Sequence, residues 1–174
     1  EVAKTTRICT YDRAGMGWSE LSPEPRTARE YAKELHTLLV KANEPGPYVL
    51  VGHSMGGFTV IVYAHYYPDE VSGLVLIDTQ DLPTSNVATY RPAPKPGETP
   101  IPALLARIGL VRLLGGPLGS VENLPDGDKQ AYTAFAVAPR SVQTFIDELK
   151  GMSEGGARAR AVTSLGSLPI IVLS

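Results

Sequence analysis

Residues 48–57 read YVLVGHSMGG. Tyr48 to Val51 are residue types suited to a strand, and they run straight into Gly52-His53-Ser54-Met55-Gly56-Gly57. A serine hydroxyl is a weak nucleophile, and it must be lifted clear of the backbone before a base and a substrate can both reach it. A sharp strand-to-helix turn lifts it, at the cost of strained φ/ψ at the serine. Glycines at 52 and 56 are expected there because a side chain would collide in so tight a turn. The following helix points its N-terminus at the serine, which leaves the Met55 N–H free for a developing oxyanion. Gly-x-Ser-x-Gly alone is a short pattern, and the strand before it and the helix after it give it weight. The plainer alternative is a glycine-rich turn with a structural serine. A phosphate-binding loop is excluded because no lysine follows the glycines.

Working outward, residues 47–52 are apolar without alternation, which predicts a strand covered by helices on both faces. Residues 55–67 continue as a helix that stops before Pro68, and 71–78 (VSGLVLID) read as another buried strand. Upstream, 7–12 (RICTYD) read as a short strand with Cys9 buried in it, ended by Ala14-Gly15-Met16-Gly17. Thr27-Ala28-Arg29-Glu30 has the capping-box pattern. The apolar spacing of Ala28, Tyr31, Ala32, Leu35, Leu38, Leu39 and Ala42 then predicts an amphipathic helix ended by Asn43 and Pro45. Strand, helix, strand, helix, strand implies an α/β fold with a mostly parallel sheet and right-handed crossovers.

The texture changes after Asp81. A proline-rich stretch follows, helical periodicity returns at 102–114, 128–138 and 140–150, and 168–173 read as a further buried strand. This divides the chain into a core of 1–81 with 165–174 and a mostly helical insertion of 82–164. The carboxylates and arginines of 122–160 are expected on a solvated helical face.

The chain has 174 residues, with 43% hydrophobic, 20% charged and a net charge of −2, the balance of a globular domain. No Lys/Arg run marks a nucleic-acid partner. One cysteine excludes an internal disulfide and a cysteine-based zinc site. No apolar run approaches the ~20 residues that span a bilayer, and no signal peptide is visible. The chain starts at Glu1 without methionine and ends on an apolar run, so the expectation is an internal piece of a longer protein.

The stretches YDRAGMGWS (11–19), PRTAREYAKELHTLL (25–39), GPYVLVGHSMGGFTVIVYAHYYPDEVSGLVLID (46–78) and LGSLPIIVL (165–173) together resemble the α/β-hydrolase superfamily. They are most similar to its bacterial members with Tyr-Asp-Arg-Ala-Gly before the elbow, some of which carry an N-terminal membrane segment. The resemblance implies Ser54 as nucleophile, Met55 N–H as one oxyanion donor, Gly52, His53, Gly56 and Gly57 as structural parts of the motif, and 82–164 as a cap. It implies acyl transfer to water, on a small ester-like substrate, with no metal or organic cofactor. It also implies that a strand from before Glu1 separates 7–12 from 47–52, and that the loop after it gives the second oxyanion donor. Compartment stays open between cytoplasmic and membrane-anchored.

Such a mechanism needs a histidine base and an orienting carboxylate. His53 adjoins Ser54 and points away from it, His65 lies ~16 Å further along the helix, and His36 sits on an earlier helix. None suits the role, and the resemblance places the base beyond this chain, so the chain alone is expected to be inactive. The acid is either Asp78, at the end of its strand, or a residue beyond Ser174, with Asp81 a poorer candidate. Asp12 and Arg13 read as loop-fixing residues, and Trp18 as lining a pocket or packing. The competing function is a non-catalytic ligand-binding module on the same fold.

Overall fold

In the computed structural model, residues 2–79, 105, 109–110 and 124–173 are described. They fall into two units: 24–79 with 147–173, and 2–23 with the described part of 105–146.

The first of these units holds the sheet. Thr27 opens helix α1 (Ala28–Lys41), its hydroxyl accepting the Glu30 N–H at 3.4 Å. Only half of the capping box forms. The Thr27 N–H goes to the Pro25 carbonyl, and the Glu30 carboxylate lies 3.5 Å from Lys33. After Ala42 the chain turns through Asn43 at φ 54°, a left-handed position that asparagine tolerates. Strand β1 (Tyr48–His53), helix α2 (Met55–Tyr66) and strand β2 (Val71–Ile77) follow, with one 3-10 turn at Pro68–Glu70. Strand β3 (Ile170–Leu173) completes a parallel sheet of order β1-β2-β3. The register runs from Val49 opposite Gly73 to His53 opposite Ile77, and from Leu74 opposite Ile170 to Ile77 opposite Leu173.

Helix α2 packs on β1 and β2, and α1 packs on α2. Leu50, Leu74 and Leu76 from the sheet meet Val60, Val62, Tyr63 and Ala64 of α2, and Ala28 and Ala32 of α1. Arg26, buried before α1, makes a two-pronged ion pair with Glu34 at 2.7 and 2.8 Å and lies over the Tyr31 ring.

Among the described residues, helices flank the sheet but do not cover both faces of every strand. Val49 is 62% exposed, Val51 60% and Ile171 57%, whereas Leu50 and Leu74 are buried. Periodicity cannot reveal this, because an apolar run says what a strand tolerates, not what lies above it. The reading of 168–173 as buried fails for the same reason: all four β3 residues are exposed.

In the other unit, residues 7–12 do not form the expected strand. They are irregular, and Ile8, Cys9 and Tyr11 are exposed rather than buried. An extended segment becomes a strand only when a neighbour accepts its ladder. Among the described residues none pairs with this one. The loop after it is well tied. Asp12 Oδ2 accepts the Trp18 N–H at 3.1 Å, and the Asp12 carbonyl accepts the Ser19 hydroxyl at 2.6 Å. Trp18 is 80% exposed and meets Phe135 edge to face at 4.6 Å.

Two further helices are described, α3 (Asp126–Ala136) and α4 (Pro139–Ala161). Helix α4 runs eleven residues past the expected end at 150. Its Gly151 lies against the Arg26 backbone, where a Cβ would stand 2.9 Å from the carbonyl carbon, so tertiary contact overrides weak propensity. Glu148 is buried, against the expectation of a wholly solvated polar face. The proline-rich stretch 82–100, nearly all of the helix expected at 102–114, and Asp81 lie outside the described residues.

Candidate active site

The C-terminal ends of β1 and β2 lie side by side, the edge at which parallel α/β sheets do chemistry. Beyond the paired residues His53 and Ile77, the next residues are Ser54 and Asp78. Both are exposed, and both have positive φ.

Ser54 has φ 51° and ψ −120°, far from the left-handed helical well that non-glycine residues visit. Such a conformation costs of order 1–3 kcal/mol and survives only when its surroundings hold it. Three contacts do so. The Ser54 N–H donates to the Ile77 carbonyl at 3.0 Å, and the Ser54 carbonyl accepts the Gly57 N–H at 3.0 Å. The backbone of the next turn then presses against Gly52, where a Cβ would stand 2.6 Å from the Gly56 carbonyl carbon and 2.7 Å from the Gly57 nitrogen. Although Ser54 occupies the N-cap position of α2, its hydroxyl makes no capping bond. Ser54 is exposed, and its hydroxyl is not engaged by the helix end.

Gly56 corrects the expectation drawn from the motif. A Cβ there meets nothing within 4 Å among the described residues. The crowded glycine is Gly57, whose missing side chain leaves the space that Thr79 fills. Met55 is the first residue of α2, and the first N–H groups of a helix have no partner within it. The positive end of the helix dipole adds to their attraction for negative charge.

Asp78 has φ 42°, and its N–H donates to the Leu173 carbonyl at 2.7 Å, which ties it to the end of β3. His53 is exposed at the end of β1, on the same face as Val49 and Val51. The other two histidines are occupied elsewhere. His36 Nδ1 lies 3.1 Å from the Glu70 carboxylate, and the ring stacks on Tyr67 at 4.1 Å. His65 meets Tyr66 edge to face at 5.2 Å near the far end of α2.

Glu70 also accepts the Tyr63 hydroxyl. Burial first, and then this bond to the carboxylate, hold the Tyr63 phenol well above its ordinary range. Tyr63 is nine residues beyond Ser54, about 13 Å along the helix, so this network fastens α1, α2 and the 68–70 turn rather than serving the elbow. The sequence reading missed it, and it missed Thr79. Neither leaves a local signal, because each depends on which residues the crossover brings together.

Among the described residues, no group of three or more His, Cys, Asp or Glu side chains could hold a metal ion, and no helix is long and apolar enough to cross a membrane.

Residues 2–105 match the family described as alpha/beta hydrolase fold, and the chain belongs to that family. It is similar to the uncharacterised protein YbdG of Bacillus subtilis, with 26% identity over 98% of this chain and 54% of YbdG. It is also similar to the human (lyso)-N-acylphosphatidylethanolamine lipase, with 30% identity over 72% of this chain and 39% of the lipase. Among solved structures it superposes on epoxide hydrolase CorEH with a TM-score of 0.61 and 18% identity, over 91% of this chain and 61% of that one. The chain thus spans about half of YbdG and well under half of the human lipase.

Proposed function

We propose that this chain carries the nucleophile half of a serine hydrolase that transfers an acyl group from a carboxylic ester to water. The observation that carries the reading is the backbone of Ser54, strained at φ 51° and ψ −120° with the residue exposed and its hydroxyl capping nothing. In an ordinary turn this conformation is usually taken by glycine, so a serine held in it carries a cost that a structural role does not require. The family, and the lipase among the relatives, support hydrolysis as the chemistry.

Ser54 Oγ attacks the acyl carbon as a base takes its proton. The carbonyl electrons move onto oxygen, which rests on the Met55 N–H and a second donor. Collapse expels the alcohol with the base's proton and leaves an acyl-serine, which water then opens by the same steps in reverse. Asp78 is the carboxylate that orients the base, since the register sets it beside Ser54. The base in this reading is a histidine outside residues 1–174: His36 and His65 are engaged away from the elbow, and His53 lies on the β1 face shared with Val49 and Val51. In this reading the insertion of 82–164 selects the substrate.

The test is labelling of the full-length protein with a fluorophosphonate probe, followed by peptide mapping. Adduct on Ser54, lost in Ser54→Ala, supports the reading. No adduct on Ser54 in a folded protein that hydrolyses no p-nitrophenyl ester sinks it, and leaves the non-catalytic ligand-binding module.

A further inference from the structure

We propose that Thr79 is a positioning residue, which locks the end of β2 onto the first turn of α2 and so holds Ser54 in its strained conformation. The inference rests on the reading of Ser54 as nucleophile. Three observations meet at this point. First, the Thr79 side chain fills the space over Gly57, so closely that a Cβ on Gly57 would overlap it. Second, the Ile77 carbonyl accepts two donors, the Ser54 N–H at 3.0 Å and the Thr79 hydroxyl at 3.4 Å. Third, Asp78 lies between Ile77 and Thr79 at φ 42°.

The strand end therefore cannot move without the elbow. If the 77–79 segment drifts away from α2, the Ile77 carbonyl leaves the Ser54 N–H, and the serine loses a contact that holds its backbone. Thr79 prevents that drift by filling the gap over Gly57. The shape of the side chain matters more than its hydroxyl, because an O–H···O contact of 3.4 Å is beyond the usual range of a good bond. Gly57 is the matching half: it is bare because Thr79 is seated on it, not because the turn itself forbids a side chain.

The experiment is amide hydrogen exchange on the full-length protein, comparing wild type with Thr79→Ala, Thr79→Val and Gly57→Ala. The Ser54 and Asp78 amides report the elbow. The Leu74 amide, which donates to Pro169 at 2.9 Å, reports the sheet as a whole. Removing two packed atoms in Thr79→Ala should speed exchange at Ser54 about tenfold, with Leu74 little changed. Thr79→Val, which keeps the shape, should restore the wild-type rate, and Gly57→Ala should match or exceed Thr79→Ala. Fluorophosphonate labelling of Ser54 should slow in the same order.

Exchange at Ser54 unchanged in Thr79→Ala overturns the proposal. So does equal acceleration at Leu74, which would mean general loosening, or a Thr79→Val that behaves like Thr79→Ala. Faster exchange with an unaltered labelling rate would leave Thr79 without a part in the reaction. A wild type that never labels at Ser54 sinks the hydrolase reading instead, and the exchange rates still decide whether Thr79 holds the elbow.

Discussion

Replacing Ser54 by glycine should stabilise this protein while removing the proposed nucleophile. The wild-type residue sits at φ 51° and ψ −120°, a region that glycine enters freely and residues with a Cβ do not. The strain is of order 1–3 kcal/mol. Against its relief stands the extra freedom of glycine in the unfolded chain, about 0.4–1 kcal/mol. The residue is exposed and its hydroxyl makes no capping bond, so loss of the hydroxyl adds little. The net gain is about 1 kcal/mol, or roughly 2–4 °C in Tm for a domain of this size. Ser54→Ala is the control: it loses the same oxygen but keeps the Cβ, so it keeps the strain and should unfold close to wild type. Urea titrations of the three proteins, at equal m-value, read the difference directly. If Ser54→Gly is no more stable than Ser54→Ala, the elbow stores no strain, and the conformation of Ser54 loses its standing as a sign of function.

Asp78→Asn should lower kcat for a p-nitrophenyl ester by on the order of 10^4 while leaving the fold intact, and a drop under tenfold would remove Asp78 as the orienting acid. Stability should also fall in alkali. The Tyr63 phenol is raised in the folded state by burial and by Glu70, so above about pH 10 the unfolded chain loses this proton first and gains on the native state. The contribution is complete below that pH, and Tyr63→Phe should flatten the decline in urea midpoint between pH 9 and 11. An unchanged slope would mean that Tyr63 is not its source. Arg26→Met should cost about 3 kcal/mol by removing the two-pronged pair with Glu34, and adding Glu34→Leu should recover part of it; no recovery would point to the packing over Tyr31 instead.

The elements nearest the elbow were legible because each carries its own local signals. Thr27 caps α1 as expected, Pro68 follows the end of α2, and β1, α2 and β2 end within a residue or two of the expected bounds. What failed depends on neighbours. Residues 7–12 have strand composition but no ladder, and Val49 and Val51 have core composition but no cover among the described residues. Glycines at 151, 155 and 156 argue against a helix locally, yet α4 passes through them, because at Gly151 it must approach the backbone of Arg26.

The same division runs through the site. The motif announced a strained serine, and the backbone shows one. It was right about Gly52, which the backbone of Gly56 and Gly57 crowds, but not about Gly56; the second crowded glycine is Gly57, which the path of the 77–79 segment decides. Backbone strain then separates function from ordinary structure. Three described non-glycine residues have positive φ. Asn43 needs no functional account, since it follows a helix end where asparagine is at ease. Asp78 lies where aspartate is tolerated but uncommon. Ser54 has the backbone of the first central position of a type II′ turn, which glycine usually takes, and it stands beside Asp78 at the ends of two paired strands. Strain at one position has many possible causes. Positive φ at two adjacent strand ends, on the edge where parallel sheets place their chemistry, supports the proposed reading, in which Ser54 attacks the substrate and Asp78 orients the base.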